Sequence, residues 1–125
     1  MREIAMTGNP AVQFFLRDAA NIDRAQALVL IGARPARAGL KVCGHCGFES
    51  CEASEEAGAR CAFNMADLGI ALGSAAAAAA DSRLDSRIMY SVGKAAQQMG
   101  YAEFDVVWIG IPIAAYGKSP FFDRK

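Results

Sequence analysis

The chain has 125 residues, a formal net charge of zero and a pI near 6.6. That length suits one domain, with a core large enough to fold without disulfides. The balanced charge leaves no electrostatic footprint for nucleic acid or an anionic membrane, so neither is an expected partner.

Met1 to Met6 runs into Gly8-Asn9-Pro10 without a long apolar stretch, so no export signal is read and a cytoplasmic location is expected. Pro10 to Arg17 fits either a short strand or one helical turn, and Asn21 to Gln26 reads as a turn or a single helical turn. Ala27-Leu-Val-Leu-Ile-Gly32 is a short apolar run rich in branched residues and predicts a buried strand. Arg34 to Gly39 is loop, and the stretch Cys43-Gly-His-Cys-Gly-Phe-Glu-Ser-Cys51 follows.

Arg60 to Ala80 predicts a long helix, in which Leu68 and Leu72 stack at i, i+4 while Gly69 and Gly73 share another face. Glycine inside a helix costs up to about 1 kcal/mol, so the pair predicts a close neighbour: another helix, a partner subunit or a flat cofactor. A membrane span wants about 20 strongly apolar residues. This segment carries Asn64 and Asp67 and ends in alanines, so a buried helix is expected instead. The alternating charges of Asp81 to Arg87 break it. A second helix is predicted from about Ser86 to Met99, with Met89, Val92, Ala96 and Met99 on one stripe and Gly100 as its cap. Asp105 to Pro112 predicts a second buried strand. The tail, Tyr116 to Arg124, is aromatic and basic and is expected to dock on a neighbour such as the other subunit.

The chemistry concentrates in the cysteines, spaced Cys43-x2-Cys46-x4-Cys51-x9-Cys61. Four thiolates are the ligand set of a [4Fe–4S] cluster, a [2Fe–2S] cluster or a tetrahedral zinc. Free thiols are the plainer reading, and disulfides fit a reducing compartment least. The short steps wrap a loop around one face of a guest, and the distant fourth ligand closes the site. Gly44 and Gly47 relieve crowding and permit unusual backbone angles, and their amides can point at cluster sulfurs. Cys61 falls at the start of the long helix, where the dipole favours a thiolate. His45 lies between two ligands and is read as an exposed loop residue, because four cysteines already fill the site. The predicted metal ligands are Cys43, Cys46, Cys51 and Cys61. No catalytic residue is assigned: no separate base serves a nucleophile, and no phosphate loop is present. Arg83, Arg87, Lys94 and Lys118 are candidates for holding phosphate or an acidic substrate, against a plainer role as surface charges paired with Asp81 and Asp85.

The cysteine stretch is similar to the cluster segment of a four-cysteine iron–sulfur domain. That domain occurs in the corrinoid iron–sulfur protein of acetyl-CoA synthesis and in a subunit of the Rnf electron-transport complex. Its fourth cysteine lies considerably farther on, so the resemblance carries ligand roles to Cys43, Cys46 and Cys51, and Cys61 is the point of departure. Phe15–Ala19, Leu28–Gly32, the cysteine stretch, Cys61–Asn64, Asp67–Ser74, Asp85–Lys94 and Gly117–Arg124 together resemble the "ferredoxin domain-containing" family of anaerobic bacteria and archaea. That resemblance implies an iron–sulfur cluster and no assigned reaction. The order of elements is also similar to flavin nitroreductases, which implies a dimer with a crossing tail. It brings FMN into view, although the basic N-terminal motif that holds flavin phosphate in that fold is not evident.

These readings predict a single α/β-type (α+β) domain over residues 1–125. Its arrangement is nitroreductase-like, with a long central helix, a second helix, a small sheet and a cluster loop at 43–61. The expected function is a cytoplasmic iron–sulfur protein that binds one [4Fe–4S] cluster and transfers electrons to a redox partner as a homodimer. The alternatives are a cluster-plus-flavin oxidoreductase and a zinc-stabilised structural protein. An electron carrier is expected rather than a stand-alone enzyme.

Overall fold

Residues 1–122 are described by the computed structural model; Asp123 and Arg124, the end of the expected docking tail, lie outside the described residues. Three antiparallel strands run in the order β1-β3-β2: β1 is Ala27–Ala33, β2 is Asp85–Ser86 and β3 is Val107–Ala114. The β1–β3 register runs from Ala27 opposite Ile113 to Ala33 opposite Val107. Side chains alternate across a strand, so β3 serves two layers. Val107, Ile109, Ile111 and Ile113 join Leu68 and Leu72 of helix α4 (Ala62–Asp81), with Ile31, Ala33 and Ala75 closing the cluster. On the other face α5 (Tyr90–Gln98) packs closely on β3. This is an α+β domain with helices on both sides of a small sheet, preceded by α1 (Arg2–Ala5) and α2 (Phe14–Asp23) and carrying a short α3 (Cys51–Glu56).

The predicted strands form, but β1 is a sheet edge: Leu28 and Val29 remain 44% and 38% exposed rather than buried. The ambiguous stretch at 10–26 resolves into a short 3-10 turn over Pro10–Val12 and then helix α2. Helix α2 buries Phe15, Asp18, Ala19 and Asn21. Its Asp18 carboxylate accepts a hydrogen bond from Ser91 Oγ at 2.6 Å, which ties α2 to α5 inside the molecule.

Helix α5 starts later than the periodicity suggests. Asp85 and Ser86 pair with Ala114 and Ile113, and Met89 exchanges backbone hydrogen bonds with Gly110. Sheet pairing therefore claims the first residues of the expected helix. Continuing this register sets Arg87 opposite Pro112, which has no N–H to give, and β2 ends at Ser86. Met89, Val92 and Ala96 are buried as the stripe requires, while Met99 is 64% exposed. Gly100 caps the helix as expected. Its N–H reaches Gln97 O at 3.1 Å and the Tyr101 N–H reaches Ala96 O at 2.9 Å, the Schellman pattern. Helix α4 ends the same way with Arg83 at φ 58° in the position glycine usually takes.

Helix α4 departs from the buried helix expected of it. Of its 20 residues only Leu68, Leu72 and Ala79 are buried. Its length and mean hydropathy of 1.3 would allow it to cross a membrane on those grounds alone. Gly69 and Gly73 face open space. The close approach that glycine permits occurs elsewhere. A Cβ on Gly93 would meet Trp108 O at 1.8 Å, and one on Gly110 would meet Val92 Cγ1 at 2.3 Å. The described part of the tail packs within the chain: Phe121 is buried, Arg87 Nη1 donates to Phe121 O at 3.1 Å, and the Arg87 guanidinium sits 5.4 Å from the Phe122 ring centre.

Candidate metal centre

After β1 the chain leaves the sheet and makes the turn that holds the first two cysteines. Gly44 O accepts the Gly47 N–H at 2.9 Å, and the two glycines have φ of 71° and 83°. Side chains at those angles are strained, whereas a Cβ on either would meet nothing within 4 Å. The glycines are there for conformation, not for space. Cys43 and Cys46 flank His45 in this turn, and the His45 ring packs against Phe63 with centres 5.2 Å apart. His45 is exposed, as expected, and this contact connects the turn to the first turn of α4.

Ser50 Oγ accepts from Ala53 N at 3.1 Å and starts α3, so Cys51 becomes the helix's first residue. The chain then turns back at Gly58, and Cys61 takes the N-cap position of α4. Cys61 is 8% exposed, and its thiol is held below its ordinary pKa. The largest cause is the backbone N–H of Asn64, followed by that of Ala38; burial opposes them, and the Phe63 N–H and the Arg37 charge assist. The sulfur forms no formal cap hydrogen bond. It lies close enough to the unsatisfied amides of the first turn for them to favour a thiolate.

Cys43, Cys46, Cys51 and Cys61 all line one small cavity of about 20 Å³, together with Ala38, Leu40 and Phe48. All four cysteines are free. Among the described residues, no three Cys, His, Asp or Glu side chains converge closely enough to hold a metal ion. The thiols thus ring a shared space without meeting at a point. The donor set is that of a tetrathiolate site. A cavity of this size holds about one water.

Arg83, Arg87, Lys94 and Lys118 do not line this cavity, nor a second one of about 660 Å³ between α1, α2, β1 and α5. Arg87 is engaged with the tail, and Arg83 lies in the turn that ends α4. Arg37, in contrast, belongs to the site. Its Nε donates to Cys51 O at 3.1 Å and its Nη2 to Ala59 O at 3.3 Å. Nothing in the sequence distinguishes Arg37 from Arg34 in the same loop.

Residues 57–124 match the family described as "Uncharacterized protein containing a ferredoxin domain" (DUF2148). The chain belongs to this family. A protein of Archaeoglobus fulgidus, itself described as uncharacterized, is 46% identical over 132 residues, covering 99% of this chain and 70% of that protein. No solved structure matches the chain. Membership in a ferredoxin-domain family points to an iron–sulfur cluster and to electron transfer as the class of function. Cys61 lies inside the matched stretch, while Cys43, Cys46 and Cys51 precede it.

Proposed function

We propose that this ferredoxin-domain protein is an electron carrier that holds one [4Fe–4S] cluster on Cys43, Cys46, Cys51 and Cys61. The observation that carries the reading is that all four thiols line one cavity. They come from three local structures: a glycine turn, the start of α3 and the start of α4. When bound, the cluster supplies the one-electron couple, with a potential set by ligation, hydrogen bonds and burial. The chain's own residues do the rest. The Asn64 and Ala38 amides hold Cys61 toward its thiolate. Ser50 fixes the start of α3, and the glycine turn lets Cys43 and Cys46 adjust to the guest. A reducing cytoplasm suits four free thiols. Anaerobic purification followed by iron, sulfide and zinc analysis tests the reading. It requires about four irons and four sulfides per chain; a colourless protein with one zinc overturns it.

We further propose that two copies pair along the exposed side of α4. Ala66, Ile70, Gly73, Ala77 and Ala80 are all exposed and recur at heptad spacing, the pattern of a helix–helix seam. Small residues there let backbones approach closely, which accounts for Gly73 facing open space within one chain. An antiparallel pair is also complementary in charge, because it brings Asp81 of one copy to the end of the other at which Arg60 precedes the helix.

A further inference from the structure

We infer that Arg37 is the clamp of the cysteine site, holding the Cys51 and Cys61 limbs together and setting a positive charge beside the thiolates. The inference deepens the cluster reading and rests on it. Cys51 and Cys61 are separated by nine residues and begin two different helices. Across that gap, one guanidinium donates from Nε to Cys51 O at 3.1 Å and from Nη2 to Ala59 O, two residues before Cys61, at 3.3 Å. Glu55 Oε2 lies 4.0 Å from the same Nε, and the Arg37 side chain is only 19% exposed. The next residue, Ala38, lines the cavity and presents its N–H to Cys61. A single segment thus reaches both limbs.

The chemistry demands an arginine. Two carbonyls on different elements need two donors in a rigid fork, which a lysine ammonium on a flexible stem does not supply. Arginine also stays charged at every working pH. Four thiolate ligands concentrate negative charge, and a guanidinium bonded to the backbone of Cys51, only partly offset by Glu55 at 4.0 Å, favours the more negative, reduced state of a cluster. Arg37 is therefore a positioning residue with two separable effects, geometric and electrostatic.

Two substitutions separate them. Arg37→Lys keeps the charge and loses the fork; Arg37→Gln loses the charge and most of the fork. Supporting groups around metal ligands typically change metal affinity by about 10–100-fold. Iron loss to a ferrous chelator, measured anaerobically on cluster-loaded protein, should accelerate at least about tenfold in both variants. The reduction potential should become more negative in Arg37→Gln and stay near wild type in Arg37→Lys. Native iron retention together with a native potential in Arg37→Gln overturns the inference.

Amide hydrogen exchange on metal-free protein tests the clamp without any cluster. Exchange across residues 51–61 should accelerate in both variants while β1 and β3 keep their protection. Unchanged exchange there overturns the clamp, even if the wild-type protein takes up no iron. Conversely, faster exchange in a protein that never binds iron upholds the clamp and counts against the cluster.

Discussion

Replacing Gly93 by alanine tests the packing of α5 on β3, on which the position of the sheet's second layer depends. An alanine Cβ would stand 1.8 Å from Trp108 O, 2.4 Å from its carbonyl carbon and 3.1 Å from Ile109 N. Ordinary contact begins near 3.4 Å, so α5 must retreat by about 1.6 Å from a backbone that cannot swing aside as a side chain would. That retreat also uncovers the contact between Val92 and Gly110 and strains the buried bond from Ser91 to Asp18. Overpacking costs about 1–3 kcal/mol and sometimes more. With backbone of the central strand as the obstacle, a loss of about 3 kcal/mol or more is expected. Domains of this kind have about 5–15 kcal/mol in total, so the variant should still fold. Urea unfolding of metal-free protein under reductant, followed by circular dichroism, would read the change as a lower midpoint at constant slope. A loss under about 1 kcal/mol, well below the overpacking range, would refute the reasoning.

Three further outcomes follow from the same structure. Arg83→Gly removes an unfavourable left-handed residue at the end of α4 and should stabilise the metal-free protein by up to about 1 kcal/mol, read as a rise in unfolding midpoint. Ile70→Glu places a charge in the middle of the proposed seam; light scattering should show dimers for wild type and monomers for the variant, with unfolding of the monomer little changed because Ile70 is 68% exposed. Cys61 has a folded pKa below its ordinary 9.0, so the folded chain binds fewer protons than the unfolded one. Its contribution to metal-free stability is therefore complete above 9.0 and lost as pH falls through the lowered value. Cys61→Ser should flatten that part of the pH–stability curve.

What could be read from the chain and what could not divides along physical lines. Ala27–Gly32 and the run ending at Pro112 are rich in branched apolar residues, and both are strands. Burial was harder to foresee, because β1 lies at an edge only through the way the sheet is ordered. Helix α2 was ambiguous because its buried positions include Asp18 and Asn21, whose polarity hides the helical stripe. Glycine spacing points to Gly69 and Gly73, whereas the tight contacts within the chain are at Gly93, against the Trp108 backbone, and at Gly110, against the Val92 side chain, which only the docking of α5 on β3 reveals. The tail's aromatics point to docking, and Phe121 is buried within its own chain. In the site, the four cysteines stand out in the sequence because they lie within 19 residues of one another, and all four line one cavity. Arg37 acts on backbone carbonyls, which leave no mark in a sequence.

The most direct test of the central claim is iron and sulfide analysis with an anaerobic absorption spectrum, before and after dithionite, on wild type and on the serine variants of Cys43, Cys46, Cys51 and Cys61. About four irons per wild-type chain, a broad absorption near ~400 nm that bleaches on reduction, and loss or weakening of the cluster in each variant are expected. A featureless spectrum from metal-replete protein, or a cluster that survives all four substitutions, would contradict the claim.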